Sequence, residues 1–177
     1  MSYNINLIKM IISDIDGVWT DGCVYIGNEN YEMKKFNVND GAGVALLRVS
    51  GIKLALISGR KSIATELRAV ELKIEDVYNG TLNKIIPYEE IKSKYNLEDS
   101  EIAYIGDDLI DIPVMEKVGV PIATDNAVDL CKKSSVHITK KAGGDGAFRE
   151  AVEWILTEQG RLEKVILDLK NKVFEQK

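Results

Sequence analysis

Short, almost unbroken apolar runs recur along the chain, each followed by a polar, glycine-containing turn and then by a stretch with helical spacing. The runs are "LIKMIIS" (7–13), "IKLALIS" (Ile52–Ser58), "DVYNG" (76–80), "EIAYIG" (Glu101–Gly106) and "VGVPIAT" (118–124). They are too short for helices and too continuously apolar for a sheet with one wet face, so they predict strands buried on both faces of a parallel sheet. Between them, "GAGVALLRVS", "SIATELRAVELK", "LNKIIPYEEIKSKYN" and "LIDIPVMEKVG" predict helices. Strands alternating with helices imply an α/β fold, a parallel sheet between helices joined by right-handed crossovers.

One segment breaks this rhythm. "CVYIGNENYEMKKFNVND" holds two alternating stretches, Cys23–Ile26 and Tyr31–Phe36, around the turn residues "GNEN", and predicts a β-hairpin inserted after the first strand at about residues 22–37. The C-terminal region predicts two helices over about 147–175, one ending near Glu158 and one starting after Gly160. Leu162, Val165, Ile166, Leu169 and Val173 form a single apolar face in the second, the pattern of core packing.

At 177 residues and 45% hydrophobic, the chain is long enough for one core and short for two, so residues 1–177 are expected to form one domain. A net charge of -5 argues against nucleic acid as a partner, because phosphate binding needs clustered Lys and Arg. No apolar stretch has the length of a bilayer span, and "MSYNINLIKMIISD" lacks a signal peptide's basic start and cleavage site. A cytoplasmic protein without a membrane partner is the expectation. Cys23 and Cys131 are isolated and predict free thiols, with Cys131 packed.

The chemistry lies where the strands end, since ligands of parallel α/β sheets bind beyond the carboxyl ends. Asp14 and Asp16 follow the first run, Ser58, Gly59 and Arg60 the second, Lys84 the third, and Asp107, Asp108 and Asp111 the fourth. Carboxylates gathered at one edge repel one another unless a counter-charge sits among them. Mg²⁺ suits that role, with Asp14, Asp16 and Asp107 as ligands and a substrate phosphate completing its oxygen shell. Ser58, the Gly59 N–H and Lys84 would then hold the other phosphoryl oxygens. With charge screened, Asp14 can attack phosphorus, and Asp16, two residues on and facing the same way, can protonate the leaving oxygen and later activate water.

These segments, "DIDGVWTD", "ISGR", Lys84 and "GDDLIDIPVM", resemble motifs one to four of the haloacid dehalogenase (HAD) superfamily, in order and at strand ends. The resemblance implies a Rossmann-like HAD fold, Asp14 as nucleophile, and Asp16 as acid/base that lends its backbone carbonyl to Mg²⁺. It also implies phosphate contacts from Ser58 and Lys84, Asp107 as a metal ligand, and Asp108 and Asp111 orienting metal-bound water or Lys84. The gaps from Asp16 to Ser58 and from Arg60 to Lys84 leave no room for a cap domain.

Across most of its length, including "TDG", "FNVNDGAGV", "SGR" and "KKAGGDGAFREAVEWIL", the chain is similar to the capless 3-deoxy-D-manno-octulosonate 8-phosphate (KDO 8-phosphate) phosphatase group. That similarity implies a small phosphorylated sugar acid as substrate and a homotetramer in which hairpins line a central barrel and a neighbouring subunit closes the site. Arg60 fits an eight-carbon substrate, since a guanidinium grips a carboxylate in bidentate fashion. Asp145, where that group more often carries a basic residue, keeps phosphatases of nine-carbon keto-acid phosphates open as the alternative. A phospho-acceptor or regulatory domain is a further alternative, but its adjacent acidic pair follows the first strand and its acceptor a later one, whereas here "DID" is first and the adjacent pair of "GDD" fourth. Elsewhere plain roles are expected: Asp21 as a turn residue at the hairpin's root, Lys34 and Lys35 as a solubilising edge, Trp19 and Tyr25 as packing, Arg149 as a solvated helix arginine, and His137 as structural.

Overall fold

A computed structural model describes residues 3–28 and 31–175. Its sheet has the order β5-β4-β1-β6-β7-β8, formed by Asp76–Asn79, Lys53–Ser58, Met10–Ser13, Ile102–Gly106, Val120–Ala123 and His137–Ile138, with every pairing parallel. β1 lies inside the sheet between β4 and β6, and all four of its residues are buried. Strand alternation sends Met10 and Ile12 into one core and Ile11 into the other. The Ile11 face is covered by α1 (Val38–Ser50), α2 (Ile63–Glu71), α6 (Ala147–Glu158) and α7 (Leu162–Glu175); the Met10 face by α3 (Ile85–Tyr95), α4 (Ile112–Met115) and α5 (Asp129–Lys133).

The predicted α/β sheet is present, with local corrections. The first strand begins at Met10 rather than Leu7, because Asn4 caps a 3-10 turn over Ile5–Leu7. "LIDIPVMEKVG" is not one helix. Asp108 and Asp111 cap each other's backbone around a 3-10 turn at Leu109–Asp111, and the short α4 carries Pro113 in its first turn. The sixth strand, His137–Ile138, falls in "SVHIT", whose residues are β-like, whereas α5 before it lies in a stretch of mixed polarity with no helical period. The stripe on α7 packs inward at Leu162, Val165, Ile166 and Leu169, while Val173 stays exposed.

The hairpin is present with strands of two residues each, β2 (Tyr25–Ile26) and β3 (Glu32–Met33), and Thr20 bridges to Phe36 at its root. Glu29 and Asn30 of its "GNEN" turn lie outside the described residues. The hairpin and α1 occupy the stretch between Asp16 and Ser58, and α2 and β5 that between Ser58 and Lys84.

Candidate active site

Parallel strands bring their carboxyl ends to one edge. The Asp14 N–H continues the β1 ladder by donating to the Ile105 carbonyl at 2.9 Å, and Gly17 then reverses the chain with φ of +91°. Asn126 braces this turn: its Nδ2 donates to the Gly17 carbonyl at 3.0 Å, and its Oδ1 accepts from the Gly143 N–H at 2.5 Å. Gly143 is pressed so closely that a β-carbon there would lie 1.8 Å from the Gly17 oxygen. Trp19 packs as predicted, stacked on Phe148 with centroids 4.1 Å apart, and its indole N–H donates to Ser13 at 3.0 Å.

Asp14, Asp107 and Asp111 present carboxylate oxygens within 4.8 Å of one another. The Lys84 ammonium is buried between Asp14 and Asp111, bonded to Oδ1 of the first and 2.6 Å from Oδ1 of the second. Asp111 is also bonded at both oxygens, accepting from the Tyr104 hydroxyl at 2.6 Å and from the Asp107 and Asp108 N–H groups at 3.0 and 3.1 Å. Asp107 differs, because its Oδ1 is buried without a hydrogen-bond partner among the described residues.

This closeness shifts protonation. Burial, partly offset by Lys84 and reinforced by the Asp111 charge, pushes the Asp14 carboxyl up to about 7. Burial and then the charges of Asp14 and Asp111 push Asp107 up to about 8. For Lys84 burial opposes the charge, yet the two aspartates hold the ammonium above the usual lysine range. Crowded hard oxygens, raised carboxyls and an unpartnered buried Asp107 oxygen fit a divalent cation such as Mg²⁺.

Asp14 and Asp16 both line a cleft of about 350 Å³, together with Gly59, Arg60, Asp107 and Asp108. The Asp16 carboxylate is not in the three-aspartate cluster. It faces the Lys34 ammonium, 2.7 and 2.8 Å from its two oxygens, and Ser58 Oγ at 3.4 Å. Ser58 Oγ itself donates to the Arg60 carbonyl at 2.9 Å. The Arg60 guanidinium is bonded to Glu32 of the hairpin. Lys84 lies behind Asp14 and Asp111 rather than on the cleft wall, and Asp108 accepts from the Leu109 N–H at 2.7 Å.

Lys34 is thus corrected: its side chain is wholly buried, and only Lys35 is an exposed edge residue. The period of the strand carried the signal, since Glu32 and Lys34 share the inner face and Met33 and Lys35 the outer. Tyr25 is half exposed rather than packed and donates to Asp21, which also accepts from the Cys23 N–H as a turn residue does. Arg149 pairs with Glu153 on its own helix, and His137 stacks on Trp154. Tyr104 and Asn126 carry no signal in the sequence, one inside an apolar run and the other in an ordinary-looking loop.

A family model for haloacid dehalogenase-like hydrolases matches residues 62–150. The chain is 42% identical over 157 residues to the 3-deoxy-D-manno-octulosonate 8-phosphate phosphatase of Escherichia coli K12, covering 89% of this chain and 84% of that one. Among solved structures, the phosphatase of that name from Yersinia pestis superposes with a TM-score of 0.87 at 41% identity, over 90% of this chain and 86% of the other. The Moraxella catarrhalis phosphatase, in complex with magnesium ion, phosphate ion and KDO, superposes with a TM-score of 0.88 at 37% identity, over 92% and 94%.

Proposed function

The chain belongs to the haloacid dehalogenase-like hydrolases and is a phosphatase of that family, and we propose that it hydrolyses KDO 8-phosphate to KDO and phosphate. The observation that carries the chemistry is Asp14, buried at a strand end against Lys84 and beside an unpartnered Asp107 oxygen. The substrate rests on relatives of that name at 42% identity over most of both chains.

Asp14, Asp107 and the backbone carbonyl of Asp16 would hold Mg²⁺, which supplies positive charge to the phosphoryl oxygens and to Asp14. An Asp14 oxygen attacks phosphorus, the bond from phosphorus to the sugar oxygen breaks, and Asp16 gives that oxygen its proton. Water then attacks the aspartyl-phosphate, Asp16 takes the water's proton, and phosphate departs with Asp14 restored. Ser58 and the Gly59 N–H contact the phosphoryl group from the cleft side and Lys84 from behind, beside the Asp14 carboxylate it is bonded to, while Asp111 holds Lys84 and Asp108 orients water. Arg60 grips the substrate carboxylate, and its present bond to the Glu32 carboxylate is the same kind of contact.

The hairpin exposes Tyr25, Ile26, Tyr31 and Met33, supporting assembly through the hairpin into a homotetramer whose neighbouring subunit closes the cleft. No described helix is long and apolar enough to cross a membrane, and a cytoplasmic enzyme is proposed.

Purified protein with Mg²⁺ should release phosphate from KDO 8-phosphate with a higher kcat/KM than from nine-carbon keto-acid 9-phosphates, and EDTA should stop it. A preference for the nine-carbon esters overturns the substrate. Activity undiminished by EDTA overturns the metal. A phosphorylated protein that persists for hours marks a phospho-acceptor domain.

A further inference from the structure

We propose that Lys34 is a positioning residue for the acid step, fixing the Asp16 carboxylate toward the leaving oxygen. The inference rests on the reading of Asp16 as the acid/base. Lys34 follows β3 on the hairpin, and strand alternation turns it, with Glu32, toward the body of the protein. Its side chain has no solvent exposure, although its neighbours Met33 and Lys35 are exposed. A buried ammonium is unfavourable unless paired and hydrogen-bonded. The Lys34 partners among the described residues are both Asp16 oxygens, at 2.7 and 2.8 Å, and the Thr65 hydroxyl of α2 at 3.3 Å.

The ammonium therefore holds the carboxylate at both oxygens and is itself fixed by α2. Asp16 sits past the end of β1, just before the Gly17 turn, and besides Lys34 only Ser58 Oγ approaches its carboxylate among the described residues, at 3.4 Å. Lys34 is therefore its main anchor, and Glu32 ties the same strand to Arg60 two residues earlier. The hairpin thereby has a part in the chemistry of its own subunit, besides any part in assembly.

The leaving group separates positioning from scaffolding. The constant kcat/KM reports only the steps up to leaving-group departure. A sugar alkoxide needs a proton at that point, whereas p-nitrophenolate leaves without one. Lys34→Met should lower kcat/KM for KDO 8-phosphate by about 10²-fold and for p-nitrophenyl phosphate by less than about fivefold, in the range of a general acid's contribution. Lys34→Gln, which keeps a donor and loses the charge, should show a milder asymmetry in the same sense and serves if the Met variant does not fold. Equal losses on both substrates, or none, overturn the proposal. Asp16→Asn is the control: if it lacks the asymmetry, the acid/base reading of Asp16 fails, independently of Lys34.

Discussion

A β-carbon on Gly17 would lie 1.9 Å from Oδ2 of Asp107, so the turn after β1 and the acidic end of β6 are packed to contact. Gly17 also holds φ at +91°, where an alanine is strained by about 1–2 kcal/mol even in open space. Gly17→Ala should therefore displace Asp107 or unwind the turn. Because a misplacement near 1 Å can reduce rate by about 10²-fold, kcat should fall at least that far, with a lower thermal midpoint. Kinetics and calorimetry on the purified variant check both. A variant of normal activity and stability would mean that the turn yields more easily than its packing implies.

Asp14→Asn removes the proposed nucleophile while keeping its shape. Lys84 retains Asp111 as a partner at 2.6 Å, so the ammonium stays paired and the fold should persist. Activity should drop by at least about 10³-fold, the scale seen when a nucleophile is lost. Phosphate release and a circular dichroism spectrum on the same sample distinguish lost chemistry from lost structure.

The raised carboxyls set a pH dependence with a definite sign. Burial, against the opposing charge of Lys84, lifts Asp14 to about 7, and burial with the charges of Asp14 and Asp111 lifts Asp107 to about 8, above the value of 3.8 for a free aspartate. Groups raised in the folded state stabilise it below their unfolded value, and that contribution is lost as pH rises through the folded one. Metal-free protein should therefore lose stability between about pH 4 and pH 8 on account of these two groups. Mg²⁺ needs the carboxylates deprotonated, so its stabilising shift in Tm should be larger at about pH 8 than at about pH 6. Thermal unfolding with and without Mg²⁺ across that range tests the sign. A Mg²⁺ shift that shrinks toward alkaline pH would contradict it.

The parts of this site legible in the sequence are those whose position follows from chain period and turn chemistry. Asp14, Ser58 and Asp107 fall where buried apolar runs stop, and strand ends meet at one edge whatever the side chains do. The Gly17 turn is likewise visible as Asp-Gly. Two adjacent lysines look like an exposed pair; strand alternation puts Lys34 and Lys35 on opposite faces, but which face turns inward is set by how the hairpin packs on α2. Tyr104 reads as one more apolar strand residue, and its hydroxyl acquires meaning only when Asp111 is folded back over β6. Asn126 joins two loops brought together by tertiary packing, a contact no local pattern encodes.

Asp111 is the residue on which this arrangement depends most. Its oxygens accept from Lys84, the Tyr104 hydroxyl, and the N–H groups of Asp107 and Asp108. It therefore fixes the buried Lys84 ammonium, the turn that carries Asp107, and the buried Tyr104 phenol, and is itself without solvent contact. Removing one member of a buried charged pair costs about 3–5 kcal/mol, and two backbone donors would lose their acceptor as well. Asp111→Ala should destabilise by at least that range, or fail to fold. Tyr104→Phe deletes only one bond to a charged group and should cost about 1.5–3 kcal/mol, leaving Lys84 and both N–H groups satisfied. Denaturant unfolding of the two variants side by side gives the test. If the phenylalanine variant proves as damaging as the alanine one, the weight rests on the hydroxyl of Tyr104, and Asp111 is not the hub its four bonds make it.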